Sequence, residues 1–495
     1  MSRVVVVGAG LGGLAVALRL QGEGHDVIVV EQRETPGGRA AQIRSGGFTW
    51  DTGPSLITMP WVLEETFAAG GLDLHREVTL RELDPFYDLH WADGARLQFV
   101  RDREAMQEQI ARLSPRDAAR FPAYLEALRP IYEQGILGAG RREFSRLRDL
   151  AAFTPTMVRL GAALPLWAQT ARFFSEPHVR EAFSFHSLFI GGDPFRVPAI
   201  YGALVYLQFL DGVWYAEGGV YALVQAMAGA LDVRYGDGVE HVETAAGKVT
   251  GVRTRGGRHI AADVVISNGD VLDGPSVLVG GRPSQVSRRP LRPTMSCFLL
   301  YLGTDRPFPR LAHHTLLVGD GYRRFIRDVT RDGRLPSTSS TYLHVPNRTE
   351  PGMATDGGDS ICVLLPVPNL RSGTDWDVVG DRVRDWLVED LERSFSLDGL
   401  GASIVEEHRM TPADFRERFG ARDGNAFALE PTLQQSAALR PANRDRRARG
   451  LYRVGGGTHP GAGIPGVLLG AQVTAGLVGE DTRTTGAGGR VAARA

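Results

Sequence analysis

"VVVVGAGLGGLAVALRLQGEGHDVIVVE", residues 4–31, is the stretch on which the fold turns. Its pattern predicts a buried parallel strand over 3–7, a tight turn over 8–13, a helix over 14–23 and a second strand over 26–31, which make one βαβ unit. Gly8 permits the turn, Gly10 lets the backbone approach a pyrophosphate, and Gly13 lets helix and strand pack closely. The helix end offers amide donors and a positive dipole to phosphate. Glu31 closes the second strand, where its carboxylate can accept hydrogen bonds from both ribose hydroxyls. An apolar run behind one arginine also reads as a secretion signal. Glycines at 8, 10, 12 and 13 make a poor signal helix, however, and a β-run follows in place of a cleavage site.

At 495 residues the chain exceeds what one core normally serves, so two domains or one elaborated α/β body are expected. With 43% hydrophobic and 23% charged residues it has apolar surface enough to offset the entropy of ordering. A net charge of -1 gives no attraction to phosphate polymers, which argues against nucleic acid as a partner. Cys297 and Cys362 are the only cysteines, with no spacing for a disulfide framework or a metal, so a reducing compartment and no metal are expected. Lys248 is the single lysine, and it falls in a predicted hairpin, so Schiff-base chemistry would rest on it alone. No apolar run is long enough to span a bilayer, and a soluble or peripheral protein is expected.

Further along, residues 100–182 carry helical periodicity and few β-runs, as in "PAYLEALRPIYEQGI". Alternation returns near 232–262 as an antiparallel ribbon leading to a buried strand at 263–267; residues 291–370 are strand-rich, and a helix follows near 374–395. The last segment reads strand, glycine loop, helix, repeating the opening unit.

"ETPGGRAAQI", residues 34–43, runs from the acidic strand end into Gly37, Gly38 and Arg39 and resembles the extended signature of the two-dinucleotide-binding flavoproteins, which favours FAD over NAD. Arg39 offers a guanidinium fork for pyrophosphate. "YRVGGGTHPGAGIPGV", residues 452–467, resembles the C-terminal flavin segment of carotenoid desaturases of the bacterial phytoene desaturase type. The resemblance extends over essentially the whole chain, through "WDTGPSLITMP" (50–60), "AFSFHSLFIGGDPFRVPAIY" (182–201), "GVWYAEGGVYALVQAM" (212–227), "LAHHT" (311–315), "RMTPADF" (409–415) and "FALEPTLQQSAALRPANRD" (427–445). Two places depart from the pattern: Ala216 and Glu217 replace a Pro-Arg pair, and Ala152 replaces a frequent arginine. Both touch regions associated with cofactor or substrate handling.

This resemblance implies an α/β protein with a discontinuous Rossmann-like FAD-binding domain (1–95, 212–285 and 410–495), a helical lobe with part of the substrate domain (96–211), suited to membrane contact, and a substrate-binding sheet domain (286–409). It places FAD contacts at Gly8, Gly10, Gly12, Gly13, Glu31, Gly38, Arg39, Val239, Gly456, Gly457, Thr458, Gly463, Ile464 and Pro465, with the helix near Pro465 aimed at the flavin. The implied chemistry is hydride transfer from an allylic carbon of a carotenoid precursor to flavin N5 with loss of a neighbouring proton, and oxygen or a quinone as final acceptor. Asp149 is the candidate base by resemblance, although an Asp after Arg146 and Arg148 reads equally as a surface ion pair. His313 and His314 read as core or loop histidines, and His459 as a neighbour of the cofactor. "SFHSLFIGG", "AIYGALVYLQFL" and "CFLLYLG" are expected to line an apolar tunnel.

In residues 141–174, Phe153, Met157, Leu160, Leu164 and Trp167 among arginines suit an interfacial helix, which makes a peripheral position on the cytoplasmic membrane surface the expectation. Three rivals share the fold: a later carotenoid step such as 3,4-desaturation of a hydroxycarotenoid, a flavin amine oxidase with a lysine near the flavin, and a non-catalytic prenyl-binding escort.

Overall fold

The opening unit folds as a strand Arg3–Val7, a helix Leu11–Gly22 and a strand Asp26–Val30, in a computed structural model that describes residues 1–144, 147–272, 278–279 and 290–492. The helix begins earlier than its sequence predicts, because Gly12 and Gly13 continue the helical backbone inside what reads as a turn. Arg3–Val7 pairs in parallel with Asp26–Val30 on one side and Val264–Ser267 on the other. Asp232–Arg234 and Leu451–Arg453 complete a five-stranded parallel sheet, in the order 451–453, 264–267, 3–7, 26–30, 232–234. Successive strand residues face opposite sides: Val4 and Val6 enter the main core, and Val5 enters a second core under the ribbon. The C-terminal helix Ile464–Ala492 packs on Leu11–Gly22, so chain start and chain end share one layer.

The ribbon is a four-stranded sheet of His259–Ala261, Lys248–Thr254, Val239–Ala245 and the added Leu278–Val279. The second large sheet has seven strands, in the order Ile404–Met410, Ser296–Thr304, Asp359–Val367, Ser340–His344, His314–Val318, Tyr87–Trp91, Arg96–Phe99. It is antiparallel except where His314–Val318 runs parallel to Tyr87–Trp91. The boundary expected at residue 95 therefore cuts a hairpin: Tyr87–Trp91 pairs with Arg96–Phe99, and both strands belong to the seven-stranded sheet. Tyr87, Leu89, Leu97 and Phe99 are buried there, and that burial outweighs their nearness in sequence to the opening unit. From Arg103 to Asp211 every described regular element is helical. No helix among the described residues is long and apolar enough to cross a membrane.

Candidate functional site

The two glycine loops face each other across the carboxyl ends of the parallel strands. Gly8 takes a φ of 97°, open to glycine, and a Cβ at Gly13 would stand 2.1 Å from the Gly8 carbonyl oxygen, so no other residue fits that helix–turn contact. A Cβ at Gly10 would meet Asn268 Nδ2 at 2.8 Å, and one at Gly12 would meet Val467 Cγ1 at 2.9 Å. Asn268 follows the strand Val264–Ser267 and donates from Nδ2 to the Gly8 carbonyl at 3.4 Å. Sequence reading missed it, since a lone asparagine after a strand carries no motif.

Glu31 is buried. Its Oε2 accepts the Ala9 N–H at 2.7 Å and its Oε1 the Arg33 N–H at 3.0 Å. A carboxylate has about four acceptor sites, so two remain for a ribose. Gly37 donates its N–H to the Ala9 carbonyl at 2.8 Å, which brings "PGGRA" beside the first loop. Arg39 Nη2 reaches Asp270 Oδ2 and the Asn425 carbonyl, each at 3.3 Å, while its Nε is buried without a partner.

The C-terminal loop leaves the strand Leu451–Arg453 through Val454, whose N–H donates to the Ser267 carbonyl at 3.0 Å. Gly455 and Gly463 hold φ of 111° and 93°, and the helix starts at Ile464 directly after them. Arg440, which sequence reading did not single out, pins this loop. Its Nε donates to the Thr458 carbonyl at 3.0 Å, Nη2 to Gly456 at 2.6 Å and Nη1 to Gln435 at 3.2 Å. Burial lowers its pKa, and carbonyl oxygens take the place of a carboxylate partner. His459 rests on Phe144, with ring centroids 5.9 Å apart, and its Nε2 meets the Ala139 carbonyl at 3.1 Å. Burial pushes its pKa down to about 4, so the ring is neutral at pH 7.

A cavity of about 1080 Å³ joins these loops. Gly8, Gly10, Gly12, Glu31, Gly38, Arg39, Val239, Gly456, Gly457, Gly463, Ile464 and Pro465 line it, as does His459. Three expected residues do not. Gly13 serves the helix–strand contact. Thr458 is fully buried, with its hydroxyl donated to the Gly455 carbonyl at 2.9 Å, so it shapes the loop from behind. Asp149 sits outside the cavity and pairs with Arg148 at 3.7 Å, because the cavity face of its helix, Leu147–Arg159, carries Leu150, Phe153 and Met157 instead. Arg146 lies outside the described residues.

Beyond the loops the cavity continues between apolar walls, which include Phe185, Leu188, Phe189, Ile200, Leu204 and Leu316. Two of the three expected tunnel stretches supply all of these but Leu316, which comes from the strand His314–Val318. The third, "CFLLYLG", contributes only Cys297 and Leu299, since the pleat turns Phe298, Leu300 and Leu302 into the core. Lys248 lies at the start of its ribbon strand and does not line the cavity, nor do Ala216 and Glu217; Glu217 pairs with Arg81, and Ala152 is exposed. His313 and His314 are buried behind the cavity wall, against His344.

The residues fit FAD on three observations: carbonyl and side-chain atoms stand where a Cβ on the loop glycines would be, Glu31 keeps spare acceptor capacity, and an unpaired Arg39 Nε is buried beside the phosphate loop. The family model for flavin containing amine oxidoreductases matches residues 11–478. The lycopene-forming phytoene desaturase of Pantoea ananas is 39% identical, over 97% of this chain and 100% of its own. The neurosporene-forming phytoene desaturase of Rhodobacter capsulatus is 36% identical, over 97% and 94%. The zeta-carotene-forming phytoene desaturase of Myxococcus xanthus is 36% identical, over 95% and 92%. Among solved structures, an oxidoreductase from Methanosarcina mazei superposes with a TM-score of 0.62 at 18% identity, covering 95% of this chain and 98% of that one. Cyclohexylamine oxidase from Brevibacterium oxydans gives 0.61 at 16%, covering 97% and 99%; both show the fold alone. The chain belongs to the flavin containing amine oxidoreductase family and, within it, to the phytoene desaturases.

Proposed function

We propose that this protein is an FAD-dependent carotenoid desaturase, which introduces conjugated double bonds into a C40 isoprenoid such as phytoene. The observation that carries the reading is the single cavity that joins a two-loop dinucleotide site to apolar walls. Bound in the loops, FAD supplies the hydride acceptor for an allylic carbon. The apolar walls hold a hydrocarbon that offers no hydrogen-bonding handle, align its allylic C–H and keep water out. Ser55 and Tyr342 add neutral hydroxyls to that wall, bonded to each other at 2.5 Å. Lys248 in the ribbon argues against the amine oxidase reading, and two complete cofactor loops argue against an escort.

The finer parts of the reading are division of the chain, membrane contact and reoxidation. We assign the FAD-binding domain to residues 1–86, 212–285 and 411–495, the helical lobe to 100–211, and the substrate domain to the seven-stranded sheet with its connections. In the lobe, Phe153 and Met157 face the cavity and Trp167 packs on Phe195 at 4.8 Å. Among the described residues the exposed large apolar side chains there are Leu137, Val158 (66%), Leu164 (41%) and Leu210. A lipid-held substrate enters past them, and the double variant Val158→Asp/Leu164→Asp loses co-sedimentation with liposomes while keeping its FAD. Oxygen or a quinone takes the electrons, which anaerobic turnover with and without added quinone distinguishes.

The test of function supplies purified protein, FAD and liposomes separately with phytoene and with a hydroxylated carotenoid, and reads the spectrum of the extracted pigments. New long-wavelength bands from phytoene support the reading. Bands from the hydroxylated substrate alone move the protein to a later step, and no change with either refutes desaturation.

A further inference from the structure

Behind the cavity wall three imidazoles converge. His314 and His344 stand directly opposite each other in the antiparallel pairing of their strands, so both side chains share one face of the sheet. His313 turns its ring onto them, with centroids 4.5 Å from His314 and 5.0 Å from His344. All three are buried, and one nitrogen of each lies within 4.8 Å of the other two.

Hydrogen bonding alone leaves this cluster incomplete. A proton can bridge His313 Nε2 and His344 Nε2, which are 3.2 Å apart, but His314 Nε2 is then buried with no partner. Two of the outer nitrogens already have oxygen partners: His313 Nδ1 meets Thr349 Oγ1 at 2.6 Å, and His314 Nδ1 meets the Tyr342 hydroxyl at 2.6 Å. Tautomers protonated at Nδ1 donate to these oxygens and leave the Nε2 lone pairs free. That is how outer-shell groups orient metal-bound imidazoles. Two nitrogens bound at 2.0–2.1 Å to one tetrahedral ion stand roughly 3.3 Å apart, close to the observed separation. A counter-charge lies one layer out: Glu350 accepts the Tyr215 hydroxyl at 2.7 Å, and the Tyr215 ring meets His313 at 4.8 Å.

We propose that His313, His314 and His344 form a binding site for a divalent transition-metal cation, with zinc the fitting ion and a fourth position left for a small ligand. An all-imidazole donor set suits zinc and its neighbours and does not suit magnesium or calcium, which take oxygen. The site is separate from the flavin loops and stands apart from the proposed reaction. Its link to the cavity is Tyr342, which lines the wall and holds His314, so the ion is a structural clamp for that wall.

The test uses untagged full-length holoenzyme purified without chelator. Elemental analysis is expected to find one zinc per chain, and chelator-stripped protein is expected to take up one equivalent on titration with zinc. Cobalt in its place gives visible bands at longer wavelength than the flavin. Thr349→Val, which removes only the oxygen behind His313, weakens zinc about 10- to 100-fold with FAD content unchanged. His344→Ala abolishes binding. Should that variant fail to fold, X-ray absorption on the wild type decides: imidazole nitrogens at about 2.0–2.1 Å support the site. Wild-type protein with no zinc and no saturable uptake at one equivalent overturns the proposal, as does zinc retained by the triple variant His313→Gln/His314→Gln/His344→Gln.

Discussion

Replacing Arg440 with methionine keeps most of the side-chain volume and deletes the guanidinium that holds the C-terminal loop. Three hydrogen bonds disappear, to the carbonyls of Thr458, Gly456 and Gln435. Charged hydrogen bonds are worth about 1.5–3 kcal/mol each, or roughly 5–9 kcal/mol for three in gross terms. Much of that is offset, because methionine has no charge to desolvate, so the net loss is about 2–4 kcal/mol, in the range measured for truncating one partner of a buried charged contact. The loop then no longer holds its positive-φ path without ligand, and FAD binding carries the cost of ordering it. At about 1.4 kcal/mol per tenfold, the Kd for FAD rises about 30- to 700-fold. Arg440→Lys keeps the charge but lacks the fork and falls between. Fluorescence titration of the apo protein with FAD reads the effect, with circular dichroism to confirm folding. A folded Arg440→Met protein that binds FAD within about threefold of wild type refutes the assignment, given the energy assigned to these bonds.

Other substitutions test other parts of the account. Gly13→Ala forces a Cβ to within 2.1 Å of the Gly8 carbonyl and should cost about 1–3 kcal/mol and most of the bound FAD, whereas Gly476→Ala, with nothing within 4 Å on an exposed helix face, should stabilise by about 0.5–1 kcal/mol; absorbance at 450 nm and thermal melts compare them. Asp445 is buried, which by itself raises its pKa, but hydrogen bonds and charge from Arg447 and Arg453 prevail and hold it below the usual carboxylate value. Its contribution to stability is therefore complete above the unfolded-state pKa of about 4 and is lost as pH falls through the depressed folded value. Asp445→Asn lowers stability at pH 7, by up to about 3–5 kcal/mol for a charge left unpaired, and flattens the acid limb of Tm against pH. Leu188→Trp puts an indole into the apolar cavity and should cut kcat/KM for a carotenoid at least about tenfold with FAD content unchanged.

The cofactor half of the site was legible in sequence because glycine reports directly on backbone. A positive φ at Gly8 or Gly463, or a carbonyl where the Cβ of Gly13 would be, admits no other residue, so the demand is written in the chain. Side chains that act at long range left no such mark. Arg440 and Asn268 act through carbonyls distant in sequence, and an arginine or asparagine in a loop has many ordinary uses. Thr458 lay in the right loop but on its far side, a distinction that depends on which way one turn faces. For Asp149, which read equally as a base and as a surface ion pair, helical phase decides the surroundings: Leu150, Phe153 and Met157 take the cavity face, and the carboxylate falls beside Arg148. In "CFLLYLG" the period of two divides a continuous apolar run between cavity and core. The histidine cluster was invisible because its third member arrives through strand register, His344 opposite His314, with no local spacing to announce it.

The central claim is that the apolar cavity delivers a hydrocarbon to the cofactor held by the two glycine loops. Anaerobic mixing of the FAD-loaded protein with phytoene in liposomes, with no other acceptor present, tests it most directly. Absorbance at 450 nm and the spectrum of the extracted pigment are followed together. The account predicts bleaching of the flavin band in step with a lengthened polyene, one new double bond for each FAD reduced. A flavin band that persists while phytoene and hydroxylated carotenoids both remain unchanged would contradict it.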